Sequence, residues 1–308
     1  MTVPRQVVHV DSPTEQRNPR TTDIDLMSTM GILGAINAED RRVPEAVAAV
    51  LPQVARAVDF AVEALRSGHR VHYFGAGTSG RLATLDAAEL VPTFNVPSDW
   101  FIAHHAGGAR ALRQAVEDAE DNAKAGAAEV AESVAPGDFV LGLTASGRTP
   151  YVLGALAAAS RRGARTALVS GNPAAVTPPG VDVLIAVDTG PEAIAGSTRM
   201  KAGTAQKIIL TTFSTATMIK LGRTYSNLMV SMRATNAKLR GRTIRILREA
   251  TGMSMADCSD ALTEADGDLK VALVHLLSGE DVASAAKALT ANDGHVRKAL
   301  DSLRVRAS

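Results

Sequence analysis

The stretch Arg70-Val71-His72-Tyr73-Phe74-Gly75-Ala76-Gly77-Thr78-Ser79-Gly80-Arg81 decides how the chain is read. A short strand-forming run passes straight into three closely spaced glycines and two hydroxyls. A helical pattern then continues through Leu85-Asp86-Ala87-Ala88-Glu89, with Pro92 as its expected stop. Strand, flexible turn and helix start is the order in which a parallel sheet presents a ligand-facing loop. The same order recurs. Asp138 to Leu143 reads as a strand, Thr144-Ala145-Ser146-Gly147-Arg148-Thr149-Pro150 as a turn, and a helix follows to about Arg162. A third strand covers Thr166 to Ser170 and ends at Gly171-Asn172-Pro173, and a fourth covers Val181 to Val187. Short apolar strands alternating with helices predict an α/β fold, a doubly wound parallel sheet.

Outward from this core the period is helical. Residues 1 to about 20 are polar and contain proline, which predicts an extended arm. A helix is expected from Thr22-Asp23-Ile24-Asp25 through Met27, Met30, Leu33 and Ile36, and a second from Val43 to Arg66, stopped by Ser67-Gly68. A long helical region is expected from about Lys201 to Arg248. Beyond Thr251-Gly252, Ala261-Leu262-Thr263-Glu264-Ala265-Asp266-Gly267 nearly repeats as Ala288-Leu289-Thr290-Ala291-Asn292-Asp293-Gly294, 27 residues later. That offset suits a small helical module built twice. The expected organisation is therefore an N-terminal arm and helices over 1–55 and an α/β ligand-binding domain over 56–224. A connecting helix over 225–250 and a small helical module over 251–308 complete it.

Composition excludes several classes. With 33 Lys+Arg against 32 Asp+Glu, the net charge of +1 gives no electrostatic reason to bind nucleic acid or an anionic membrane. Aromatic residues at 3% make base stacking on single strands a poor fit. The single cysteine, Cys258, rules out an intrachain disulfide framework and a cysteine-rich metal site. His104 and His105 are adjacent and would point apart on a strand, and no H-E-x-x-H pattern exists, so no metal cofactor is expected. No apolar run approaches the roughly 20 residues of a membrane span, and no signal pattern opens the chain. A cytoplasmic protein is expected.

The loops carry the chemistry. Helix N-termini at the carboxyl ends of strands attract phosphate through free N–H groups and the helix dipole. Gly77 lets the backbone approach a ligand, Thr78 and Ser79 add hydroxyls, and Ser146, Gly147 and Thr149 do the same in the second loop. Capping alone would also explain Ser146 and Thr149, the latter as the N-cap before Pro150. Two such loops at equivalent strand ends favour a phosphate ligand. Gly75 to Gly80 matches G-x-G-x-x-G, yet the acid expected about 20 residues on is replaced by Asn95-Val96-Pro97, so a nicotinamide or flavin enzyme fits poorly. Glu192 and Gly196-Ser197-Thr198-Arg199-Met200-Lys201 form a third polar cluster, either a capped helix start or a third ligand-facing loop. Glu89 stands ten residues beyond Ser79, about 15 Å along an unbroken helix. A sugar phosphate does not span that gap comfortably, so Glu89 is expected to serve a phosphate held elsewhere, by the second loop or in a partner subunit, which favours a site shared in a dimer.

Three motifs resemble a sugar isomerase (SIS) domain: Gly75-Ala76-Gly77-Thr78-Ser79-Gly80-Arg81, Thr144 to Val152, and Gly196 to Lys207. More narrowly, they resemble the bacterial N-acetylmuramic acid 6-phosphate etherase family. The resemblance extends to Thr14-Glu15-Gln16-Arg17-Asn18, Ile24-Asp25, Asn227-Leu228-Met229-Val230, Ala234-Thr235-Asn236 with Lys238-Leu239, and the helical tail. It implies a flavodoxin-like three-layer fold with a UBA-like tail module. It also implies a homodimer with sites near the interface, no cofactor, and cleavage of a lactyl ether to give N-acetylglucosamine 6-phosphate and D-lactate. The family's two functional glutamates match Glu89, in Asp86-Ala87-Ala88-Glu89, and Glu120, in Ala115-Val116-Glu117-Asp118-Ala119-Glu120-Asp121. Glu89 is expected as the acid toward lactate and Glu120 as the base at C2, with exchanged roles also open. The expected ligand contacts are Gly77, Thr78, Ser79, Ser146, Gly147, Arg148, Thr149, Glu192, Ser197 and Lys201. The chain departs from the family pattern at Ala88, at Leu90-Val91-Pro92 and at Ile102-Ala103-His104-His105. Alternatives of other classes are a non-catalytic sensor like glucokinase regulatory protein, a phosphosugar isomerase, or a sugar-phosphate-responsive transcription regulator, for which no N-terminal helix-turn-helix is evident.

Overall fold

The computed structural model describes residues 12–114, 116, 118–232 and 237–307. Most of the expected arm (residues 1–11), Ala115, Glu117 and Ala234-Thr235-Asn236 lie outside these. From residue 12 onward the arm is a strap pinned at the buried Ser12, Thr14, Asn18 and Thr21, three of which find backbone partners. The Thr14 carbonyl accepts from Gly196 N (2.8 Å), Asn18 Nδ2 donates to the Pro191 carbonyl (3.1 Å), and Thr21 Oγ1 donates to the Ala193 carbonyl (2.8 Å).

Helix α1 spans Thr29–Asp40, starting later than expected because its cap is Ser28, which is extended and accepts from Gly31 N. The expected helix over 43–66 is two, α2 (Val43–Ala48) and α3 (Leu51–Arg66). Pro52 has no N–H to give to the preceding turn, so the chain must restart there. In α3 the residues Val54, Ala57, Val58, Ala61, Val62 and Leu65 recur at helical spacing and are buried.

The parallel sheet follows. Strand β1 (Val71–Gly75) leads into α4 (Gly77–Phe94), and β2 (Phe101–His105) into a connection containing α5 (Gly108–Ala111) and then α6 (Ala123–Ser133). Next come β3 (Phe139–Thr144), α7 (Pro150–Arg161), β4 (Arg165–Ser170), β5 (Val183–Ala186) and α8 (Lys201–Lys220). Strand order is β2-β1-β3-β4-β5, every pair parallel, with His72 opposite both Ile102 and Val140. This is the expected doubly wound α/β sheet, with the 101–105 strand added to the four read as such. Helix α4 continues past Pro92, correcting the expected stop; it ends only where Asn95 turns to a left-handed φ of 49°.

The chain forms two compact units: one up to Ala87 and from Asp99 to Phe213, the other 88–98 with 214–308. In the second unit the long helix expected through Arg248 is interrupted. Gly222 at φ 70° ends α8, and Ser226 at φ 52° turns a hairpin between β6 (Thr224–Tyr225) and β7 (Leu228–Met229). Helix α9 (Ala237–Thr251) precedes the repeat: α10 (Met255–Glu264), α11 (Leu269–Ser278), α12 (Val282–Ala291) and α13 (Val296–Ala307). The repetition reaches the caps. Ser254 accepts from Asp257 N and Asp281 from Ser284 N, while Gly267 N and Gly294 N return to the Leu262 and Leu289 carbonyls at 2.9 and 2.8 Å. Both helix pairs bury their apolar faces in one cluster around Leu262, Leu269, Leu273, Leu289 and Leu300.

Candidate active site

The strand order reverses between β1 and β3, and in a doubly wound sheet the crevice beyond such a point receives the ligand. The two glycine- and hydroxyl-rich loops flank it. In the β1–α4 loop a Cβ on Gly75 would stand 2.7 Å from Gly80 N, so the turn closes only with glycine. Ser79 is buried and Thr78 half-buried, with the Thr78 methyl alongside Gly203 in the first turn of α8.

The β3–α7 loop is organised by its own hydroxyls. Thr149 stands at the N-cap position, but its Oγ1 makes a 2.7 Å hydrogen bond with Thr144 Oγ1 and does not cap the helix, contrary to the sequence reading. Ser146 Oγ accepts from Arg148 N at 3.2 Å, and Gly147 takes a φ of 76° beneath Ser170. Arg148 is exposed.

Beside the first loop lies a cavity of about 260 Å³ lined by Gly77, Arg81, His105, Gln114, Asp118 and Glu120, among others. The Glu120 carbonyl accepts from Tyr151 N at 2.9 Å, which ties the glutamate to the start of α7. Arg81 donates to the Ala111 and Leu112 carbonyls at 2.8 and 3.1 Å. Arg81, His105, Gln114 and Asp118 were not singled out from sequence as site residues. Arg81 closes the glycine motif itself and His105 belongs to the noted His-His pair, so both carried a signal; Gln114 and Asp118 carried none. Glu89 is exposed on α4, which is continuous through it.

The third polar cluster is turned inward. Glu192 is buried and accepts from Lys201 N (2.8 Å) and Ala202 N (2.9 Å), so a carboxylate nine residues upstream caps α8. Burial raises the Glu192 pKa above the usual carboxylate range, against the pull of these two N–H groups. Lys201, also buried, holds its ammonium 2.7 Å from Glu39, whose carboxylate is gripped by the Arg20 guanidinium as well. The Arg20 hydrogen bond, with help from Lys201, brings the Glu39 carboxyl down to about 2 against the effect of burial. Ser197 is half-buried in the turn before this cap.

Behind the site, His72 is sealed between His104 (3.0 Å) and Asp138 (3.2 Å). Burial, reinforced by His104, brings its pKa down to about 4 and keeps it neutral.

Glycine and hydroxyl loops on both sides of the switch point of a 2-1-3-4-5 sheet define a SIS-domain protein. Residues 53–160 match the family model of the glucokinase regulatory protein N-terminal SIS domain. The fold is shared with a solved phosphoheptose isomerase from Francisella tularensis, at a TM-score of 0.51 and 20% identity over 63% of this chain and 100% of that one. Much nearer relatives cover almost the whole chain. An N-acetylmuramic acid 6-phosphate etherase of Thermobifida fusca (strain YX) is 60% identical over 277 residues, 90% of each chain. One of Serratia proteamaculans (strain 568) is 49% identical over 288 residues, 93% of this chain and 97% of that one. The chain belongs to the N-acetylmuramic acid 6-phosphate etherase family.

Proposed function

We propose that the protein cleaves the D-lactyl ether of N-acetylmuramic acid 6-phosphate, as a carbon–oxygen lyase, giving N-acetylglucosamine 6-phosphate and D-lactate. The observation that carries this reading, beside family membership, is Glu120 on the wall of the cavity that the β1–α4 loop opens into. The reaction asks for two carboxyl groups and no cofactor. In the ring-opened sugar the C2 proton is α to an aldehyde, and Glu120 removes it. Glu89 protonates the ether oxygen at C3, lactate departs, and a C2–C3 double bond remains. Water then adds at C3, losing its proton to Glu89, while Glu120 returns a proton to C2. A carboxylate base and a carboxylic acid acting together need environments that separate their protonation.

The phosphate is assigned to the Ser146–Thr149 turn, with Arg148 beside it, because the start of α8 is already occupied by the Glu192 carboxylate. Gly77, Thr78 and Ser79 face the sugar. Glu192, Ser197 and Lys201 then shape the neighbouring wall. A homodimer fits an unusual feature of α1: Glu39 is its one buried residue, whereas Leu26, Met27, Met30 and Leu33, on or just before it, are exposed. A second copy that covers this face would also let Glu89 serve a shared site. No helix among the described residues is long and apolar enough to cross a membrane, and we place the enzyme in the cytoplasm.

The test is lactate release from N-acetylmuramic acid 6-phosphate by the wild type, Glu89→Ala and Glu120→Ala, with deuterium uptake at C2 followed in D2O. Each variant is expected to lose about 10²- to 10⁴-fold in rate. Deuterium uptake should fail in Glu120→Ala and persist in Glu89→Ala. Activity should survive dialysis against a chelator. Sugar-phosphate binding without lactate release by the wild type would overturn the enzymatic reading.

A further inference from the structure

Glu120, Glu89 and the phosphate turn account for the sugar and leave the lactyl carboxylate of the substrate without a partner. The carbon that bears this carboxylate is bonded to the ether oxygen at C3, next to the carbon whose proton Glu120 takes. A base at C2 and a cation for the carboxylate must therefore share one cavity. On the wall of the cavity that holds Glu120, Arg81 is the one lysine or arginine among the described residues, and Asp118 is a second carboxylate. An anionic ether that entered without a counter-charge would meet like charges on both, which is costly in a confined site.

Arg81 stands near the start of α4 with its guanidinium already anchored. Nε donates to the Leu112 carbonyl at 3.1 Å and Nη2 to the Ala111 carbonyl at 2.8 Å. Both carbonyls lie at the end of α5, where a helix leaves its last acceptors open. These bonds take the Nε–Nη2 side of the fork. The Nη1–Nη2 end remains, and its two parallel N–H groups match a carboxylate bidentately. No carboxylate of a described residue forms an ion pair with it. We propose that Arg81 binds the lactyl carboxylate through this end of its guanidinium and so selects the lactyl ether over the bare sugar phosphate. The inference rests on the etherase reading for the identity of the ligand. A guanidinium fixed in advance by α5 loses little side-chain freedom when the carboxylate arrives. Once the ether is cleaved, the carboxylate departs with lactate, and the sugar phosphate left behind has nothing to hold Arg81.

Three ligands separate this role from a purely structural one: N-acetylmuramic acid 6-phosphate, its 3-O-ethyl counterpart, which keeps the ether and lacks the carboxylate, and N-acetylglucosamine 6-phosphate, which lacks both. In Arg81→Gln the KM for lactate release should rise about 10- to 100-fold, the size of a lost charge-assisted contact, with kcat little changed. The affinities for the other two ligands, read by calorimetry, should be the same in Arg81→Gln and wild type. The wild type gives an independent reading that needs no variant. As a competitor of lactate release, the ethyl ether should bind weaker than the KM of the true substrate by the same 10- to 100-fold. Equal weakening of all three ligands in Arg81→Gln overturns the inference, because Arg81 would then only tie α4 to α5. An unchanged KM in Arg81→Gln overturns it too, as does a wild type that binds the ethyl ether as tightly as the lactyl ether. A wild type that binds N-acetylmuramic acid 6-phosphate but releases no lactate would overturn the etherase reading instead, and calorimetry of the intact lactyl ether against the other two ligands would still decide the role of Arg81.

Discussion

Helices α7 and α8 begin at two of the loops marked in the sequence for a ligand, and they begin differently. At α8 the Glu192 carboxylate takes the Lys201 and Ala202 N–H groups, and its charge opposes the positive end of the helix dipole. At α7 no carboxylate caps the start, and the nearby charge is the cation of Arg148. Pro150 brings no N–H, Tyr151 N is committed to the Glu120 carbonyl, and the Thr149 hydroxyl is committed to Thr144. A bound phosphate and a capping carboxylate compete for the same donors and the same dipole. The helix that supplies its own carboxylate has settled that competition internally, and the one that lacks it still offers its positive end to an anion.

The largest effect that can break this contrast lies at Glu39. Lys201, the cation that looked available to a ligand, is one member of a buried pair with Glu39, which Arg20 completes. Removing one partner of a buried pair leaves an uncompensated charge and costs about 3–5 kcal/mol. Glu39→Ala should lower the unfolding free energy by that amount in urea titrations. The pH dependence has a definite sign. The Glu39 carboxyl titrates at about 2 in the folded chain against 4.5 ordinarily, so its stabilisation is complete above about 4.5 and is lost as pH falls toward 2. The wild type should lose that stability in this window and Glu39→Ala should not. If Glu39→Ala instead unfolds normally but fails to bind sugar phosphate, Lys201 is a ligand contact and the contrast between the two helices collapses.

Glu192→Ala is the next probe. Loss of a capping side chain costs about 1–2 kcal/mol, visible as a lowered Tm, while the affinity for N-acetylglucosamine 6-phosphate should stay close to that of wild type. A large loss of affinity with an unchanged Tm would place Glu192 at the ligand.

How much of this was legible follows from the range of the interactions. The β–loop–α order at Gly75 and Thr144 is written locally, in strand-forming runs, glycines and helix starts, and the doubly wound sheet came from it directly. The repeated tail was legible for the same reason, since Ser254 and Asp281 cap within three residues of themselves. The interruptions at Pro52, Gly222 and Ser226 were weaker local signals that the helical periodicity on both sides obscured. The fate of Lys201 was not legible at all. Its partner stands 162 residues away, on a helix whose other residues are exposed or half-buried. A lysine next to Ser197 and Thr198 reads alike whether it faces a ligand or a buried carboxylate. Thr149 misled for a subtler reason. Threonine before proline predicts a cap, but the register of β3 brings Thr144 within reach of the same hydroxyl.

Ser146 offers the finest test, because there the two readings differ most in what they leave unchanged. Its Oγ accepts from Arg148 N at 3.2 Å and lies 3.4 Å from Thr144 Oγ1, while the tight 2.7 Å bond of the loop joins Thr144 to Thr149 without it. Ser146→Ala therefore removes a hydroxyl that the folded loop uses lightly and should change the unfolding free energy by less than about 1 kcal/mol. If the open end of α7 takes the phosphate, the same hydroxyl donates to a charged oxygen, and its loss should weaken N-acetylglucosamine 6-phosphate about tenfold. The ligand's phosphate isolates the effect, since N-acetylglucosamine without phosphate should bind wild type and Ser146→Ala with the same weak affinity. Equal loss for both ligands would mean that Ser146 shapes the sugar pocket, and the phosphate would then have to be sought away from the start of α7.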